Sequence, residues 1–191
     1  MRVLDASGQV VFAGMCKDLA EIASAAMGKP DVILGIRSGG AYVAEAVACH
    51  FPEARLGYIT SRRPSTGKKG KLGVKRLLRY LPVALLDALR ILEARLLARS
   101  GNPEREVAID ISQDVRELMA QPSTKILLVD DAVDSGYTLR AVVDTLSALT
   151  PGRLFTAAIT STTSAPVMMP DFLLYNDNVL VRFPWSMDAR Q

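Results

Sequence analysis

The stretch KILLVDDAVDSGYTLRAVVDTL, residues 125–146, decides how the rest of the chain is read. Its apolar run, residues 126–129, has the length and composition of a fully buried strand. That strand delivers two adjacent carboxylates, Asp130 and Asp131. A small-residue turn follows, Asp134-Ser135-Gly136-Tyr137-Thr138, and a helix is expected over residues 137–149, stopped by Pro151-Gly152. The carboxylates can accept hydrogen bonds from ribose hydroxyls. The backbone N–H groups of the turn, with the hydroxyls of Ser135 and Thr138, can wrap a phosphate at the positive end of the helix. The combination is the chemistry of a sugar-phosphate site.

Similar units surround it. Residues 31–37, DVILGIR, read as a short buried strand, and residues 41–51 as a helix ended by Pro52. Residues 54–61, 107–111, 154–160 and 179–183 read as further strands, and residues 15–27 and 114–119 as helices. Residues 3–12, with Ser7-Gly8 in the middle, read as a small hairpin or an extended arm. Strands alternating with helices predict an α/β fold: an open, mainly parallel sheet with helices on both faces. In such sheets ligands sit at the carboxyl ends of the strands. The loop GIRSGG, residues 35–40, lies at one of those ends. It offers glycines for close backbone approach, the Arg37 guanidinium and a helix N-terminus just beyond, which makes it a second candidate phosphate site.

Residues 62–75, RRPSTGKKGKLGVK, read as a basic loop, either simply solvated or able to cover a site. A helix expected after Pro82 carries Leu78, Leu85, Leu89, Leu92 and Leu96 along one stripe, suited to a core, a subunit interface or a cover over the site.

Composition narrows the classes. The chain has 191 residues, 49% hydrophobic and 23% charged, as a globular protein with a sizeable core requires. A formal net charge of +3, with no aromatics interleaved among the lysines, gives no reason to expect nucleic acid. Cys16 and Cys49 form no metal or redox pattern, and His50 reads as a helix C-cap. The N-terminal residues lack the halves of a signal peptide, and the longest apolar candidate, residues 77–98, is broken by Arg79, Asp87, Arg90, Glu93 and Arg95. A cytoplasmic protein that does not enter a membrane is expected.

Residues 126–138 resemble the PRPP-binding motif of the type I phosphoribosyltransferases, in the version seen in purine salvage enzymes. GIRSGG resembles the pyrophosphate loop of that family, and the basic loop resembles its lid. The resemblance implies one domain over residues 1–191, with a lid and helical insertion at about 62–119 and hood elements at about 1–14 and 164–191. It implies that Asp130 and Asp131 hold the ribose hydroxyls, directly or through water on Mg2+. Asp134 would be the acid–base group. Ser135, Gly136, Tyr137 and Thr138 would hold the 5-phosphate. Arg37, Ser38 and Gly39 would meet pyrophosphate, across a cis peptide. The acceptor pocket would include Thr160, Leu180 and Trp185, with Trp185 equally suited to a hood core. Where purine salvage members carry a lysine after the next strand, this chain has Thr160 and Ser161. The implied reaction transfers 5-phosphoribosyl from PRPP to a nitrogen acceptor, a purine-like base, in a homodimer or higher homo-oligomer. The alternatives are a different acceptor in a specialised pathway, or a PRPP-binding regulator without activity.

Overall fold

The computed structural model describes residues 2–62, 106–176 and 179–186. The expected basic loop with Lys68, Lys69, Lys71 and Lys75, and the leucine stripe behind it, lie outside the described residues.

The sheet forms where the sequence is most continuously apolar. Strands β2 (Val32–Arg37) and β5 (Lys125–Val133) pair in parallel at the centre of a six-stranded sheet. The order is β4-β3-β2-β5-β6-β7, with β3 at Arg55–Arg62, β4 at Glu106–Asp110, β6 at Arg153–Ser161 and β7 at Phe172–Tyr175. All neighbours are parallel except β3 and β4. Central strands have both faces covered, so both sets of alternating side chains must be apolar. Ile33, Leu127, Val129, Ala157 and Ile159 face one core with helices α1 (Gln9–Met27) and α2 (Gly39–Ala48). Val32, Leu34, Ile36, Ile126, Leu128 and Ala158 face the other, with α3 (Gln113–Met119) and α4 (Tyr137–Ser147). This is the open, mainly parallel α/β sheet that the sequence predicts.

Local details differ from or add to the expectation. Residues 3–12 are neither hairpin nor arm. Strand β1 (Arg2–Asp5) pairs in parallel with β8 (Val179–Arg182), and α1 starts at Gln9. The buried stripe of α1 already includes Phe12, so the helix period begins before Met15. Ser7 turns the chain instead: its N–H and hydroxyl both donate to Asp5 Oδ1, at 3.0 and 2.6 Å. β7 is an added edge strand, too short to stand out in sequence. The strand expected at 107–111 and the helix expected at 114–119 are present: β4 extends the sheet, and α3 covers one face. Among the described residues, no helix is long and apolar enough to cross a membrane.

The central strands carry most of the burial, and Leu128 is fully enclosed on one face. Leu128→Ala should destabilise the fold by about 2–5 kcal/mol through lost burial and the cavity left behind. In urea unfolding this appears as a lower midpoint at unchanged m-value; a midpoint within error of the parent would contradict the packing described.

Candidate active site

The site arises from a mismatch in strand length. β5 pairs with β2 only as far as Gly35↔Val129, whereas it stays paired with β6 to Val133↔Ser161. Beyond Val129 the β2 side of β5 is therefore unpaired by strand, and the start of α2 fills the gap. A Cβ built on Gly39 would lie 1.9 Å from Asp131 Oδ2. One on Gly40 would lie 2.7 Å from the Val129 carbonyl oxygen and 2.9 Å from Asp130 Oδ1. The last two glycines of GIRSGG leave no room for a side chain: the Asp131 carboxylate fills the space at Gly39, and the Val129–Asp130 backbone with the Asp130 carboxylate fills it at Gly40. The two motifs read separately from sequence thus form one contact surface. The peptide between Arg37 and Ser38 is cis.

Asp130 is buried and Asp131 half-buried. Burial raises the carboxyl of Asp130 well above its ordinary range, and the charge of Asp131 adds to that. Burial also raises Asp131, opposed by hydrogen bonding from Asp130, backbone N–H groups and the Trp185 indole. The Asp131 N–H donates to Asp130 Oδ1 at 2.9 Å. Two adjacent carboxyls removed from water resist ionising together, so the pair suits a divalent cation or a set of donor hydroxyls. Among the described residues, no group of three or more His, Cys, Asp or Glu side chains could hold a metal ion. Two adjacent carboxyl groups are hard oxygen donors, the kind a cation that takes its other ligands from water and phosphate, such as Mg2+, accepts.

The turn after β5 leads into α4. Gly136 stands at the N-cap with φ +78°, the left-handed region that glycine adopts most easily. A Cβ there would also strike Met168 at 2.8 Å. Among the described residues no side chain caps this end, and no acid lies in the first turn of α4, which suits its N–H groups to an anion. Ser135, Tyr137 and Thr138 are half-buried around it. Asp134, just ahead, accepts a hydrogen bond at Oδ1 from Thr162 Oγ1 at 2.6 Å.

The remaining expected residues are placed as follows. The Arg37 guanidinium is paired with Asp110 of β4 at 3.1 Å and lies over the Tyr58 ring, 4.8 Å from its centroid. Thr160 is buried, and its hydroxyl donates to the Val179 carbonyl at 2.7 Å. Leu180 is buried on β8. Trp185 stacks on Tyr42 at 4.7 Å and on Phe183 at 4.8 Å, and meets Phe12 edge-on at 5.3 Å. It belongs to an aromatic core and also reaches Asp131. His50 lies elsewhere, beside a cavity of about 330 Å3 at the amino-terminal edge of the sheet, where Asp31 precedes β2 and Arg55 begins β3. Sequence reasoning missed Thr162; the hydroxyl run TSTT at the carboxyl end of β6 was the available signal.

The phosphoribosyl transferase domain model matches residues 11–175. No curated protein matches the chain. Among solved structures, the purine phosphoribosyltransferase of Pyrococcus horikoshii is similar at TM-score 0.64 and 18% identity, over 97% of this chain and 95% of that one. The xanthine-guanine-hypoxanthine phosphoribosyltransferase of Helicobacter pylori gives 0.63 and 16%, over 98% and 95%. A hypothetical protein of Neisseria gonorrhoeae with bound ppGpp gives 0.62 and 17%, over 97% and 90%. At these identities the likeness speaks for the fold, while the domain match covers both motifs and the crossover elements between them. The chain belongs to the phosphoribosyl transferase domain family and is a phosphoribosyltransferase.

Proposed function

We propose that this chain transfers the 5-phosphoribosyl group of PRPP to a ring nitrogen of a purine-like nucleobase and releases pyrophosphate. The observation that carries the reading is the packing of Asp130 and Asp131 directly on Gly39 and Gly40. It joins a candidate ribose site to a candidate pyrophosphate loop in one contact. The purine enzymes among the structural neighbours support the acceptor class.

In this reading the α4 N-terminus, with Ser135, Gly136, Tyr137 and Thr138, anchors the 5-phosphate. Asp130 and Asp131 orient the ribose hydroxyls. Ser38 and Gly39 meet the leaving pyrophosphate through their backbone groups, while the Arg37 guanidinium must first exchange its Asp110 partner. That exchange costs little, because both side chains are about half exposed or more and such pairs contribute roughly 0–1 kcal/mol. Asp130 and Asp131 would hold Mg2+ through water, and when bound it would supply charge neutralisation to the leaving group. As the bond from C1 to pyrophosphate breaks, positive charge develops on the sugar; the nearby carboxylates favour it, and Asp134 takes the proton of the attacking nitrogen.

A second reading, transfer to another nitrogen acceptor, is favoured by Thr160. It stands where purine salvage members carry a lysine, and its hydroxyl is already donated to Val179.

Pyrophosphate release from PRPP and Mg2+ with hypoxanthine, guanine, xanthine and adenine tests the proposal. The expected result is release with at least one base; none with any base overturns it. Asp134→Asn should lower kcat by on the order of 10²–10⁴-fold with PRPP binding kept. Gly39→Ala forces Asp131 aside and should weaken PRPP binding by roughly 10-fold or more, read by calorimetry; unchanged affinity would contradict the packing.

The acid pair also sets a pH dependence. The folded pKa of Asp130 is raised above its ordinary value of 3.8, so its contribution favours folding fully at pH below that value and is lost as pH rises through the raised pKa. Asp130→Asn should therefore raise the melting temperature of the ligand-free protein at pH 7, by roughly 2–4 °C per kcal/mol released. The gain should shrink towards pH 4. An equal gain at both pH values would show that ionisation is not the cause.

A further inference from the structure

The segment after β6 holds the acid–base turn from behind. Thr162 Oγ1 donates to Asp134 Oδ1 at 2.6 Å, and the Thr162 N–H donates to the Val133 carbonyl at 3.0 Å. The Ser161 hydroxyl reaches that same carbonyl at 3.3 Å. The chain then loops back, and the Val167 N–H donates to the Ser135 carbonyl at 2.9 Å. Pro166 and Met168 fill the space against Gly136. Residues 133–136 are thus gripped at consecutive points by one short segment.

Among the described residues, one hydrogen bond reaches the Asp134 side chain, that from Thr162. A carboxylate on a turn is otherwise free to rotate, and either oxygen can face a substrate. A hydroxyl fixed to one oxygen removes the ambiguity. Thr162 is well suited to that role, since it is 7% exposed, its backbone is pinned to Val133, and a β-branched side chain has few rotamers. Hydroxyl–carboxylate bonds of this length are among the stronger side-chain hydrogen bonds.

We propose that Thr162 is a positioning residue for the transfer reaction, donating to Oδ1 of Asp134 so that Oδ2 faces the acceptor. The proposal rests on the reading of Asp134 as the acid–base group. In that step the acceptor nitrogen bonds to C1, its N–H proton passes to Oδ2, and pyrophosphate leaves with the electron pair of the broken C1–O bond. The Thr162 proton stays on its own oxygen throughout. Proton transfer depends steeply on placement, so a carboxylate that has lost its anchor loses rate before it loses donor binding.

The test compares Thr162→Val, which keeps the shape and removes the donor, with Thr162→Ser, which restores it; Asp134→Asn is measured alongside. Steady-state kcat and KM for PRPP are measured with the base that turns over fastest among hypoxanthine, guanine, xanthine and adenine, and Mg-PRPP affinity by calorimetry. Thr162→Val should lose kcat by on the order of 10-fold or more, with KM and affinity for PRPP within about 2-fold. Thr162→Ser should recover kcat to within about 3-fold of the parent. Should the valine variant not fold, Thr162→Ala takes its place against the same serine rescue. A valine variant as fast as the parent, a serine variant as slow as valine, or PRPP affinity falling in step with kcat would each overturn the positioning role. If Asp134→Asn itself keeps full kcat, the acid–base reading falls instead. Slow Asp134→Asn beside an unaffected Thr162→Val removes only the role of Thr162.

Discussion

Two carboxylates pressed against two glycines hold the site together, and much else in the fold is arranged around that contact. Asp130 and Asp131 leave the sheet at the point where β5 outruns β2, and Gly39 and Gly40 enter the space that opens. The first turn of α2 therefore points its positive end towards the acid pair. A helix N-terminus stabilises an anion by about 0.3–1 kcal/mol, up to about 2 when partly buried. Removing a carboxylate from water costs several kcal/mol. Burial wins, and both acids are pushed towards their protonated forms. The helix softens the penalty without cancelling it, and the remainder is available to a cation or to sugar hydroxyls.

Strands β1 and β8 are fastened near the same place. β1 and β8 make a separate two-stranded sheet, locked by an Arg182–Asp5 pair at 3.0 Å. The Arg182 side chain is buried while Asp5 is exposed. Asp5 stays below the ordinary carboxylate range, first because the Ser7 hydroxyl and N–H donate to it and then through Arg182. From the end of β8, Trp185 stacks on Tyr42 of α2 and reaches Asp131. One aromatic side chain so connects the terminal sheet, the helix behind the glycine pair and the acid pair.

The parts legible in sequence are those written in contiguous residues. β2, β5 and β6 announce themselves as apolar runs, and the acids, the turn and the start of α4 follow β5 without interruption. GIRSGG is legible as a loop, but not that its last two glycines make room for Asp130 and Asp131; that is a contact across some ninety residues of chain. β1 is four residues long and its partner lies at the other end of the sequence, so Ser7-Gly8 read as a hairpin turn when it is the approach to α1. β7 is equally short and is defined by pairing with β6. The Arg37–Asp110 and Thr162–Asp134 contacts depend on how strands and loops meet in space, which local pattern does not encode. Threonines and serines at a strand end look like any polar loop until their acceptors are known.

The arrangement is also poor engineering for stability alone, and that is informative. Apolar residues in place of Asp130 and Asp131 would bury without an ionisation penalty, and residues other than glycine at positions 39 and 40 would lose less conformational entropy on folding, by roughly 0.5–1 kcal/mol each. A fold keeps such features when something bound returns the cost. A ligand at a hundred times its dissociation constant restores about 2.7 kcal/mol to the folded state, which offsets part of what the acids and glycines forgo. In the proposed reading a phosphorylated sugar accompanied by a divalent cation would meet both features at once: the acid pair would take the hydroxyls and the cation, and the start of α4 would take the phosphate. Neither an isolated phosphate nor an isolated metal ion would do so, which is why the proposed reading has one composite substrate rather than two separate sites.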